Sequence, residues 1–199
     1  MLKNGVDLNK FKYDEAKRGV LRKEIGVEGK FVVGHVGRFA YQKNHDYLIE
    51  VFYRLHKVRR DAVLLLVGEG PLQNDIMTKV KEMRLAEDVI FWGTSSDVAG
   101  LFQAMDAFAL PSHFEGLPIV GVEAQASGLP VVFSSEITRE AKLLDTTEFI
   151  PIDQTSIDDW VSALTKGKNV QRLDASQELK QKGFGLEDAI DNLISIYRS

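Results

Sequence analysis

The chain has 199 residues, 44% hydrophobic and 27% charged, which suits one substantial core in an ordinary globular domain. A net charge of −4 gives no general attraction to nucleic acid or anionic membranes. The absence of cysteine excludes disulfides and thiolate chemistry, and it fits a reducing, cytoplasmic setting. No apolar run approaches the ~20 residues that span a bilayer, and no signal peptide is expected at the start.

In chain order, Asn4-Gly5 is a turn signal, and the charged run from Asp14 to Glu24 has helical character. Phe31 to Val36 is a short apolar run ending at Gly37, which predicts a buried strand. A loop from Arg38 to Asn44 follows, and Asn44 or Asp46 caps a helix running to about Arg60. Ala62 to Val67 is the clearest strand, followed by Gly68-Glu69-Gly70-Pro71 and a helix to about Leu85. A third strand, Val89 to Trp92, stops at Gly93, and a short helix from Asp97 to Met105 leads into a strand at Ala107 to Leu110.

A loop carrying Glu115 leads from there into a helix. Pro118 suits its first helical position, and Gly128 suits the left-handed conformation after its end. Val131 to Phe133 is the next strand, Thr138 to Leu144 a short helical stretch, and Phe149 to Pro151 a last edge strand. Helices are expected from Ser156 on, with Ile190, Leu193, Ile194 and Tyr197 sharing one face. Alternating strands and helices predict an α/β, Rossmann-like parallel sheet covered on both faces, with ligands bound beyond the carboxyl ends of the strands. No linker or repeat divides the chain. It reads as one domain: a lead-in segment and helix (1–28), a sheet core (29–152) and C-terminal helices (153–199).

Glu115 and Glu123 frame the start of the helix after Pro118. The free amides of its first turn make an anion site, and each carboxylate can accept hydrogen bonds from sugar hydroxyls. The bland alternative is that both acids merely favour a helix N-terminus. Gly37 and Arg38 follow directly on the first strand, with Lys43 close behind. Arg38 offers a planar fork for phosphate and Lys43 a mobile charge, although a solvated loop would look the same. Gly68-Glu69-Gly70 lacks the third glycine of a dinucleotide fingerprint, which disfavours a redox domain. Phe91 and Trp92 offer stacking faces, with core packing the expected job of at least one. His113 is rejected as a base, and neither the four histidines nor any Asp-x-Asp at a strand end suggests a metal site.

At Glu115-Gly-Leu-Pro-Ile-Val-Gly-Val-Glu123 the chain closely resembles the donor-binding domain of the family 4 retaining glycosyltransferases, which have the GT-B fold. The resemblance extends from Asn4 to Tyr197. It implies a nucleotide-sugar donor such as a UDP-sugar, no cofactor and no metal. By the same resemblance Glu115 contacts the transferred sugar and Glu123 the ribose. Gly37, Arg38 and Lys43 meet the diphosphate, assisted by the amides after Gly116 and Leu117, while Gly68 lines the cleft and the segment around Phe91 meets the nucleobase. The catalytic assignments are Glu115, Arg38 and Lys43. The acceptor half of such an enzyme is not recognisable here, so the chain alone is expected to be inactive; a non-catalytic donor-binding subunit with a separate partner is the alternative. Family analogy points to capsular or exopolysaccharide assembly and leaves room for peripheral membrane association of a full enzyme.

Overall fold

The computed structural model describes residues 5–166, 172–187 and 189–190. Six parallel strands form one sheet: β1 (Phe31–Val36), β2 (Ala62–Val67), β3 (Val89–Gly93), β4 (Ala107–Leu110), β5 (Val131–Ser134) and β6 (Thr147–Ile150). Their spatial order is β3-β2-β1-β4-β5-β6, so the chain runs outward from β1 in one direction and then returns to its other side. Among the described residues the sheet is accompanied by α1 (Leu8–Phe11), α2 (Glu15–Glu24), α3 (His45–Val58), α4 (Gln73–Glu82), α5 (Val98–Ala104), α6 (Ile119–Ala126), α7 (Ile157–Lys166) and α8 (Ser176–Gln181).

Strand side chains alternate between two cores, as the pleat requires. Phe31, Val33, Leu64, Leu66, Ala107 and Ala109 pack with residues of α3, α4 and α7, including Phe52 and Trp160. Val32, Leu65, Phe108, Leu110, Val131 and Phe133 pack on the opposite face with Phe102 of α5, Val122 of α6 and Leu179 of α8. Burying both faces explains why these strands read as continuous apolar runs.

At the amino ends of the strands, arginines fix the flanking helices. Arg18 and Arg22 of α2 reach Asp106 at 2.5 and 3.1 Å, and Asp106 also accepts from the Val32 amide at 2.7 Å. Arg172 donates to the carbonyls of Phe102, Gln103 and Met105, and further to that of Ser127. The carbonyls at the end of α5, unsatisfied within the helix, are thus capped by side chains from two distant segments.

Several expectations shift in detail. Asn44, in the left-handed conformation (φ 53°), caps α3, its side chain accepting from the Tyr47 amide at 3.4 Å; Asp46 instead pairs with Lys79 at 2.8 Å. The helix ends at Val58, two residues short of Arg60, and α4 likewise ends before Leu85. Pro118 is extended (ψ 109°) and precedes α6, its carbonyl accepting from the Gly121 and Val122 amides; Gly128 has the expected positive φ of 67°. The helical stretch at 138–144 is only a 3-10 turn, Arg139–Ala141. The reason is Gln125, whose buried Oε1 takes the amides of Leu143 and Leu144 at 2.9 and 3.0 Å and diverts them from a helix. Pro151 lies just past the edge strand β6. Leu193, Ile194 and Tyr197 of the C-terminal stripe lie outside the described residues. No helix of the described residues is long and apolar enough to cross a membrane.

Candidate functional site

The site forms where β1 and β4 lie side by side, Val33 opposite Ala107 and Gly34 opposite Phe108. The chain leaves their carboxyl ends toward opposite sides of the sheet, which opens a crevice there. Backbone bonds join the loops around it. The Gly37 amide donates to Val67 at 2.9 Å, Phe39 to Glu69 at 3.1 Å, and Gly68 to Gly93 at 2.7 Å. Gly68 has φ 132°, and a Cβ built on it would lie far inside the contact distance of the Gly37 carbonyl oxygen. The glycine therefore permits the first two loops to meet.

Two of the candidate residues, from different loops, touch. Lys43 Nζ lies 2.6 Å from Glu115 Oε1, with side-chain exposures of only 16% and 12%. The Ser112 hydroxyl donates to the same oxygen at 3.2 Å. Arg38 is exposed and has no ion-pair partner among the described residues, so its guanidinium is free to meet an anion. The two loops are joined further by the His113 amide donating to the Gln42 carbonyl (2.8 Å) and by Gln42 Nε2 donating to the Phe114 carbonyl (3.1 Å). His113 stacks on Tyr41 with ring centroids 4.2 Å apart, and Tyr41 (68% exposed) and Phe114 (56%) form an aromatic rim beside Glu115.

The Glu123 carboxylate on α6 has no hydrogen-bond or ion-pair partner among the described residues. Burial pushes its carboxyl above the usual range, opposed by the charge of Lys10. A half-buried carboxylate without donors of its own is suited to accepting them from a ligand. Gly116 is exposed and Leu117 half-buried on the approach to α6. The first-turn amides of that helix, Ile119 and Val120, are donors that a helix leaves without internal partners. Phe91 lies against Phe39 at 6.0 Å as part of the core edge, whereas Trp92 is 40% exposed.

Beneath the first loop lies a buried pair of imidazoles. His35 Nδ1 is 2.8 Å from the Ala109 carbonyl; a carbonyl only accepts, so Nδ1 carries the proton. His35 and His45 meet edge to face at 4.5 Å, and His45 stacks on Phe39 at 4.0 Å. Burial, helped by the charge of Lys43, lowers His35 to about 4. Burial, with His35 and Lys43, lowers His45 to about 2, so both rings are neutral at physiological pH. The pair, together with Ser112, Gln42 and Gln125, escaped sequence reasoning. Ser112 stood in view beside Glu115, but nothing local said where its hydroxyl would point.

Comparison with known proteins places the chain in a family. The chain is 31% identical to EpsF of Bacillus subtilis, a protein named as a glycosyltransferase, over 99% of the chain and 52% of that protein. It is 29% identical to the UDP-Gal:alpha-D-GlcNAc-diphosphoundecaprenol alpha-1,3-galactosyltransferase of Escherichia coli, over 99% and 53%. The crystal structure of Anabaena HepE in complex with UDP and glucose has the same fold, with a TM-score of 0.85 at 22% identity, over 100% of this chain and 56% of that one. The chain thus spans about half the length of the curated relatives it matches. Structures of this kind are GT-B glycosyltransferases, and the sheet described here is one Rossmann-like half of that architecture. The family described as "Glycosyl transferases group 1" matches residues 17–183, and the chain belongs to it.

Proposed function

We propose that this chain is the nucleotide-diphospho-sugar-binding domain of a retaining glycosyltransferase that transfers a hexosyl group to a saccharide or lipid-linked acceptor in glycan assembly. The observation that carries the reading is the Lys43–Glu115 pair joining the loops beyond the β1 and β4 ends, with an exposed, unpaired Arg38 on one of those loops and an unpartnered, half-buried carboxylate on α6, the helix that the other loop enters. Arg38 and the first turn of α6 supply positive potential for a diphosphate, and Lys43 adds a charge that a phosphate can draw from Glu115. That potential would stabilise negative charge as the glycosidic bond breaks. Glu123 accepts from the ribose and Glu115 from the sugar. The UDP in the HepE structure and the lipid-linked acceptor named for the Escherichia coli relative support this choice of ligand class and setting.

Titration calorimetry with UDP, GDP and ADP in the presence of EDTA tests the proposal. Binding of at least one nucleotide without metal is expected. No binding in EDTA, with binding restored by magnesium or manganese, would contradict the metal-independent site.

A further inference from the structure

We infer that Ser112 is a positioning residue for Glu115, its buried hydroxyl fixing one carboxylate oxygen and leaving the other to the ligand. The inference rests on the reading of Glu115 as the carboxylate that meets the sugar. Ser112 is fully buried (0% exposed), and its hydroxyl donates to Glu115 Oε1 at 3.2 Å. Lys43 reaches that same oxygen at 2.6 Å. With two donors on Oε1, Oε2 has no recorded partner among the described residues and is the oxygen on offer.

The two holders differ in stiffness. Ser112 has a single heavy-atom side-chain torsion and follows β4 by two residues, in a loop tied on either side of Gln42. Lys43 is an ammonium on a flexible four-carbon stem, and a ligand phosphate competes for it with the carboxylate. Once an anionic ligand draws Lys43 away, Ser112 is the donor that stays. Without that hydroxyl the carboxylate turns freely about its last torsion and presents the sugar no defined oxygen. The bare nucleotide, which does not use Glu115, is indifferent to the change.

The experiment is calorimetry on the whole chain with UDP, GDP and ADP, each alone and as its glucose and mannose conjugates. Ser112→Ala should leave the affinity for the bare nucleotide within about twofold and cut the extra affinity contributed by the sugar by about tenfold, the scale of one charge-assisted hydrogen bond. In a Glu115→Gln background, adding Ser112→Ala should cause no further loss, because the two residues act as one unit. Ser112→Thr, which keeps the hydroxyl, should retain the sugar's contribution. If Ser112→Ala does not melt like the wild type, Ser112→Cys, of similar volume and a weak donor, takes its place. Equal losses for nucleotide and conjugate, or additive losses in the double variant, overturn this inference alone. No nucleotide binding by the wild type overturns the donor-site reading and this inference with it.

Discussion

Glu123 stands on α6 with its carboxyl raised by burial and no donor of its own among the described residues, whereas Glu115 is already engaged by Lys43 and Ser112. The two glutamates should therefore respond differently to truncation. Glu123→Ala is expected to cost roughly 1.5–3 kcal/mol in binding of a bare nucleoside diphosphate, the range for a hydrogen bond to a charged group. Glu115→Ala should cost little with that ligand, since its proposed partner is the sugar. Calorimetry on both variants decides the matter, and equal losses would refute the division. The histidine pair makes a second prediction at this scale. In the unfolded chain each imidazole titrates near its ordinary 6.5, but in the folded protein His35 is lowered to about 4 and His45 to about 2. Between these values the unfolded state binds more protons, so stability is complete above pH 6.5 and falls as pH drops toward 4. Each such proton contributes roughly 1 kcal/mol per pH unit. His45→Leu should remove one of them. Urea denaturation of wild type and variant between pH 7 and 5, with carboxylate titrations common to both chains, should show the variant's stability falling less steeply. Parallel slopes would show that His45 protonates freely in the fold.

Among the elements, the loops after β1 and β2 depend on a backbone that only glycine permits. Gly68→Ala would place a methyl group against the Gly37 carbonyl at a φ of 132°. The strain should destabilise the domain by roughly 1–3 kcal/mol and displace the loop that carries Arg38 and Lys43. Chemical denaturation and nucleotide titration should both register the change, and a variant as stable as the wild type would contradict the packing described. The start of α6 shows a milder discrepancy between sequence and structure. Proline is compatible with the first helical position, but here it stays extended and accepts the first amides through its carbonyl. The stretch at 138–144 had adequate local propensity for a helix, and a buried glutamine on α6 overrode it. Propensity is local, whereas that glutamine arrives from an element that precedes an entire strand.

For the whole molecule, the strand order places β4 beside β1 and so creates the crevice. At the opposite end Arg18 and Arg22 of α2, together with Arg172, bind the α5–β4 turn. The arginine anchors and the candidate site thus lie at opposite ends of the strands. What the sequence by itself determined was the alternating α/β order, the first five strands within about a residue (β6 begins two residues before its expected start), and the glutamate pair around the start of α6. These signals are short-range: apolar runs mark strands buried on both faces, and glycine, proline and capping residues mark their ends. Tertiary structure alone decided that Lys43 meets Glu115 across a separation of 72 residues, that Ser112 shares the same oxygen, and that His35 and His45 are buried as a neutral pair. Those contacts depend on which strands become neighbours and how their loops join, and no local pattern of side chains encodes that.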